Sequence, residues 1–176
     1  MGYTHYFNRT VSLSEEQAAQ LCEDAAKIVT YWFDHTTNSA EIFAKKEEHS
    51  GRWDEWLEDS QNQLKILESA DNREEKLVAL WKNSNAIFIH PDDETVPSEG
   101  FYFPFDGDSF SFCKTNHAEG FGPLVYGLFY FLKLSGVSRV SSDYQSAETG
   151  AGRKLVKAVF PELITVRGSR KRETLV

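Results

Sequence analysis

The chain opens in alternation. An extended segment over 3–7 sets Tyr3, His5 and Phe7 on one face and Thr4 and Tyr6 on the other. This strand is expected to end near Val11. At Leu13 the period changes. Ser14 stands three residues before Gln17, a capping-box spacing: the hydroxyl accepts from an amide of the first turn, and the Gln side chain reaches back. Ala18, Leu21, Cys22, Ala25, Ile28, Val29, Trp32 and Phe33 then recur at helical spacing as one apolar stripe.

From Asn38 to Asn85 large apolar residues thin out and acidic residues outnumber basic ones. Short helices joined near His49-Ser50-Gly51 and Ala70-Asp71-Asn72 fit this segment, which reads as an acidic helical insertion. After Asn85 the period becomes two again. Ala86 to Ile89 reads as a short buried strand. Phe101, Phe103 and Phe105 alternate, Asp106 to Ser109 supplies turn residues, and Phe110 and Phe112 resume, which predicts a hairpin with Pro104 at an edge or bulge. A buried helix follows from about Gly122 to Leu134, with Gly136 placed to stop it. A strand over 137–142 and a last helix from Arg153 to Phe160, ended by Pro161, complete the order. Hairpin-linked strands with helices gathered on one side predict an α+β fold: a small, mostly antiparallel sheet of about five strands in a single domain spanning 1–176.

A hydrophobic fraction of 40% with 13 Phe is enough for one packed core. No run reaches the ~20 apolar residues of a spanning helix. No secretory pattern is visible at the start, and Cys22 and Cys113 are isolated from any metal-ligand spacing, so a reduced cytoplasmic setting is expected. The net charge of −8 argues against direct nucleic-acid binding, which needs a basic footprint. Basic residues do gather in the tail at 167–176, with Arg167, Arg170, Lys171 and Arg172.

Three segments stand in a telling order: Gly2-Tyr3-Thr4-His5-Tyr6-Phe7, Phe112-Cys113-Lys114-Thr115 and Ser141-Ser142-Asp143. Together they resemble a set of phage and prophage proteins of unknown function that begin Gly-Tyr-Thr-His-Tyr-Trp. Those proteins carry Phe-Cys-Lys-Thr before a buried helix and Ser-Ser-Asp-Gly near the end. This chain departs at Phe7 (usually Trp) and at Tyr144 (usually Gly), and the 38–85 segment has no counterpart. The resemblance spans roughly half the chain and implies origin and fold, with no assigned chemistry. Each matching segment puts polar groups on a predicted strand. If the strands are neighbours, Tyr3, His5, Lys114, Thr115, Ser142 and Asp143 converge and suit a small anionic ligand. The other reading is that they satisfy one another and only fix the sheet.

Two further motifs carry possible chemistry. His90-Pro91-Asp92-Asp93-Glu94 is similar to the signature of zinc-dependent sugar-amide deacetylases. That resemblance implies zinc on His90 and Asp93 with Asp92 as base, but the family's later His pair is missing, since only His117 lies downstream. Pro-Asp-Asp-Glu between strands is also ordinary turn chemistry. Gly150-Ala151-Gly152-Arg153-Lys154 reads as the start of the last helix, with only a weak likeness to a phosphate loop.

The expected function is therefore that of a phage or prophage accessory protein that binds and inhibits a host protein, plausibly part of a defence system. No cofactor and no membrane enter this reading. Trp53, Trp56, Glu58, Asp59 and Trp81 are the expected contact residues, because Trp anchors suit protein interfaces. Two alternatives stand beside it: a binder of a small anionic ligand or nucleotide, and a zinc-dependent hydrolase.

Overall fold

The opening strand lies in the middle of a sheet. In the computed structural model, β1 (Tyr3–Arg9) is flanked by β4 (Phe110–Thr115) and β5 (Ser138–Ser142), both antiparallel to it. β2 (Ala86–Ile89) and β3 (Phe101–Pro104) form a second antiparallel sheet. The helices are α1 (Glu15–His35), α2 (Arg73–Asn83), α3 (Phe121–Leu134) and α4 (Ala147–Val159), with a further helical stretch at 62–68. The structure describes residues 3–37, 39, 62–69, 71–89, 100–107, 110–115, 121–143 and 147–163. The fold is α+β, and the five strands among the described residues are divided between two sheets.

The capping box forms as the spacing predicts: Gln17 N–H donates to Ser14 Oγ at 3.2 Å and Ser14 N–H to Gln17 Oε1 at 2.9 Å. Behind it, Leu21, Cys22, Ala25, Ile28, Val29 and Trp32 are buried along one face of α1. α3 is apolar on all sides, and ten of its fourteen residues are buried, which marks a central helix rather than a surface one. The three-stranded sheet covers one side of it, and α1 and α4 pack on others. Phe129 on α3 reaches three rings: Phe7 at 5.8 Å, Phe101 at 5.1 Å and His5 at 5.9 Å. One side chain thus ties both sheets to the helix. Gly136, at φ +79, stops the helix where expected.

The hairpin is not the one predicted. β3 pairs with β2, with Ile87 opposite Phe103, whereas β4 pairs with β1, with Tyr6 opposite Phe112. Burial explains the separation. Phe101 and Phe103 sit in the core at 1% and 0% exposure, while Phe110 and Phe112 remain outside at 54% and 46%. Arg9 fastens the two sheets where they part. Its guanidinium donates to the carbonyls of Pro104 and Gly107, each at 3.0 Å.

The end of the acidic segment is part of the core, since Leu67, Leu77 and Trp81 are fully buried. One other expectation changes. α4 begins at Ala147, not Arg153, so Gly150 and Gly152 lie within the helix. Gly152 is needed there for contact. A Cβ on it would come within 2.8 Å of the Gly127 nitrogen and the Pro123 carbonyl, so α3 and α4 touch backbone to backbone. The helix ends at Val159, just ahead of Phe160 and Pro161, as the disfavoured helical geometry before proline requires. Among the described residues no helix is long and apolar enough to cross a membrane.

Candidate functional site

The three segments that share polar residues are neighbours, in the order β4-β1-β5. Pleating then divides their side chains between two faces. His5 lies opposite Cys113 on one side and Ser142 on the other, so these three face inward with Phe7 and Val140. His5 is fully buried. Its Nδ1 is 2.8 Å from Ser142 Oγ, and its Nε2 is 3.3 Å from Thr115 Oγ1. In the neutral ring one nitrogen donates and the other accepts, and hydroxyls can serve either role. The ring edge also meets Tyr126 at 5.3 Å.

A Ser–His pair at 2.8 Å has the distance of a nucleophile and its base. Such a pair also needs an open place about 3 Å from the hydroxyl for a reacting atom. Among the described residues, two surface depressions are lined by neither His5 nor Ser142, and aromatic rings cover the imidazole. What the cluster does in the fold is join three strands through side chains. Beyond it, Arg153 lies over the rings of Tyr126 and Tyr130 at 5.9 and 5.7 Å. Its bond to the Tyr126 hydroxyl holds the guanidinium above its ordinary pKa.

The outward face is a grid of three rows. Lys114, Thr4 and Asp143 form the first, Phe112, Tyr6 and Ser141 the second, and Phe110, Asn8 and Arg139 the third. Thr4 is buried and Tyr6 half-buried, while the other seven are exposed. The Tyr6 ring stacks on Phe110 at 6.2 Å and tilts against Phe112 at 6.5 Å. Its hydroxyl donates to Asp143 Oδ2 at 3.5 Å. Lys114 and Arg139 place positive charge at two corners of this face, against the acidic balance of the whole chain.

Five of the six residues expected to converge are divided between the two faces. His5, Thr115 and Ser142 are on the buried face, Lys114 and Asp143 are on the open one, and the Tyr3 side chain lies outside the described residues. Trp81, expected at a contact surface, is wholly buried, and its indole N–H donates to the Phe88 carbonyl at 2.9 Å. Trp53, Trp56, Glu58 and Asp59 lie outside the described residues, as do His90, Asp92 and Asp93. Among the described residues no group of acidic, His or Cys side chains is placed to hold a metal. Both cysteines are buried free thiols, and burial pushes Cys22 up to about 11.

Phe110, Phe112 and Arg139 are the residues that the sequence pattern assigned to no site. Alternation put the two Phe on one face of β4, and the structure sets Cys113 and Thr115 on the other. It did not say which face is buried. The bulk of His5, Phe7, Tyr126 and Phe129 fills the inner side and admits only small residues from β4, so the large rings turn outward.

Comparison of the chain with protein-family models, curated proteins and solved structures gives no match, so the likeness to the Gly-Tyr-Thr-His-Tyr-Trp phage proteins stays a resemblance.

Proposed function

We propose that this chain is a binding protein of the phage or prophage accessory type, which inhibits a host protein by docking on it through the open face of the three-stranded sheet. One observation carries the reading: Phe110 and Phe112 stand 54% and 46% exposed beside the Tyr6 ring, with cations at the margin. Aromatic rings at the centre and Arg at the edge are the composition of interface hot spots. Leaving about half of each ring in water forgoes burial worth roughly 1 kcal/mol each. The partner that suits this face is a protein surface with an apolar centre and a carboxylate at its rim to meet Arg139. A bacterial defence factor is the target class that the phage resemblance suggests.

The test is functional. The chain is expressed in strains that each carry one defence system, and phage plating is measured. Restored plating on one strain is expected, together with its loss in the Phe110→Asp/Phe112→Asp variant at equal abundance and unchanged melting temperature. Failure to relieve any system, or full activity of the double variant, would count against the proposal.

A further inference from the structure

The positive charge of this acidic chain is gathered at one end. Residues 147–176 hold seven Lys and Arg against three Asp and Glu, a balance of +4, so the net −8 of the chain leaves −12 on residues 1–146. We infer that the outward stripe of α4, centred on Arg153, is a further binding site, which takes the phosphate backbone of a nucleic acid. The inward side of this helix is Gly152, set against the α3 backbone, and the buried Val156. Arg153, Lys154 and Lys157 stand exposed on the other side. Arg153 and Lys157, four residues apart, lie one above the other at about 6 Å along the axis. None of the three forms an ion pair among the described residues. The acids of this segment lie at its ends: Glu148 in the first turn and Glu162 beyond Pro161. On α1, which packs against α4, Asp24 is already bonded to Lys27 at 2.9 Å. Lys157 has an ordinary use in the last turn, where a cation suits the helix dipole. Arg153 and Lys154 sit mid-helix and have no such use.

Arg153 is the pre-arranged member of the stripe. Its guanidinium lies over Tyr126 and Tyr130, at 5.9 and 5.7 Å from the ring centroids, and those rings stack within 11° of parallel. One N–H donates to the Tyr126 hydroxyl at 3.4 Å. A guanidinium has five donors, so this bond leaves most of them for a ligand. A fork held by rings loses less freedom on meeting a phosphate than a loose one, and it can bond two oxygens together. Lys154 and Lys157 add point charges beside it. The occupant is a linear polyanion because the cations continue along the chain, with Arg167, Arg170, Lys171 and Arg172 against Glu173 alone. Basic arms of this composition bind nucleic acid. The acidic remainder of the chain does not forbid it. Salt screens exposed charges beyond about 10 Å at 0.1 M, whereas each phosphate contact acts locally by releasing counterions. The stripe carries no Asn or Gln to pair with base edges, so binding independent of base sequence is expected. α4 and the three-stranded sheet pack on different sides of α3, which keeps this site apart from the open face.

The experiment titrates the full chain onto a fluorescein-labelled DNA duplex of about 20 base pairs and follows anisotropy between about 50 and about 200 mM salt. Binding in the micromolar range is expected at the lower salt, weakening steeply at the higher. Lys154→Glu/Lys157→Glu should weaken it by about tenfold or more, with an unchanged melting temperature. Lys154→Gln/Lys157→Gln should lower the slope of log affinity against log salt by about 2, and it carries the test if charge reversal disturbs the fold. Arg153→Lys keeps the charge but not the fork, so affinity should fall by about threefold or more with the slope retained. Absence of binding at the lower salt, or full binding by the helix variants, would overturn the inference. Binding that Arg170→Gln/Lys171→Gln/Arg172→Gln abolishes and Lys154→Glu/Lys157→Glu preserves would also overturn it, by assigning the contact to the tail alone. Equal affinity for poly-glutamate would make the stripe a site for acidic protein, and tighter binding to phosphatidylglycerol vesicles than to the duplex would make it a membrane contact; either result rejects nucleic acid as the occupant.

Discussion

The two faces of the three-stranded sheet share their strands and differ in what each does with its rings and polar groups. On the inner face His5 is answered by Ser142 and Thr115, with Tyr126 and Phe129 packed over the ring. On the outer face the Tyr6 ring packs against Phe110 and Phe112, which stay about half exposed. A buried network stabilises by being complete. An exposed aromatic row stabilises little and leaves surface for something else to cover. The same alternation built both, so the difference lies in what the helices cover.

The sharpest way to break the inner face is Phe129→Ala. That ring meets Phe7, Phe101 and His5, so its removal opens a cavity where both sheets meet α3. A loss of about 3–5 kcal/mol is expected, read as a lower midpoint in urea. A loss below about 1 kcal/mol would mean that the site collapses freely, and that the two sheets do not depend on this contact.

His5→Leu tests the polar half of the same face. Leucine fills much of the space but gives Ser142 Oγ and Thr115 Oγ1 nothing to bond. The expected cost is about 2–4 kcal/mol by equilibrium unfolding, because polar groups that lose a buried partner forfeit their desolvation. Should the variant prove as stable as the parent, the strands would be held by their backbone ladders alone.

Much of this division was legible in the residues before the fold was seen. Ser14 and Gln17 announced the start of α1, and the apolar stripe from Ala18 to Phe33 gave its buried side. The all-round apolar run through Leu124–Leu134 marked the central helix. Tyr3–Phe7, Phe112–Thr115 and Ser141–Asp143 were grouped by the resemblance with adjacency only a condition, and the order β4-β1-β5 makes them neighbours. Three things were not legible, each for a physical reason. Pairing partners of β3 and β4 depend on which Phe pair finds a cavity, a non-local matter. The early start of α4 is hidden by Gly150 and Gly152, which read as breakers until the close approach of α3 explains them. The inward choice of small residues on β4 depends on the volume of Tyr126 and Phe129, more than ten residues away in sequence.

α1, packed on another side of the central helix, adds an alkaline limit. Burial raises the Cys22 thiol from 9.0 to about 11. The folded state therefore keeps its proton while the unfolded thiol ionises, so the unfolded state binds fewer protons across that interval. Stability from this group is complete below pH 9, falls as pH rises to about 11 and is flat beyond it. The total is about 2–3 kcal/mol. Unfolding curves taken across the interval should show that slope, and Cys22→Ala should remove it. An unchanged slope in the variant would assign the alkaline loss to other groups.

The smallest effect on stability is expected where the proposed function is concentrated. Phe110→Ala and Phe112→Ala each remove a ring that is about half exposed and packs chiefly on Tyr6. Edge contacts between such rings contribute about 0.5–1.5 kcal/mol when well packed, and solvent on the open side reduces this. Each variant should unfold within about 0.5 kcal/mol of the parent, and the pair within about 1 kcal/mol. The comparison with Phe129→Ala is then direct, since the same residue type is deleted from opposite sides of one sheet. Were Phe112→Ala to cost as much as Phe129→Ala, the outer rings would be core residues whose cover lies elsewhere in the chain, and the open face would lose its claim as a docking surface. If the cost is small, selection for folding does not account for two Phe at these positions, and binding does.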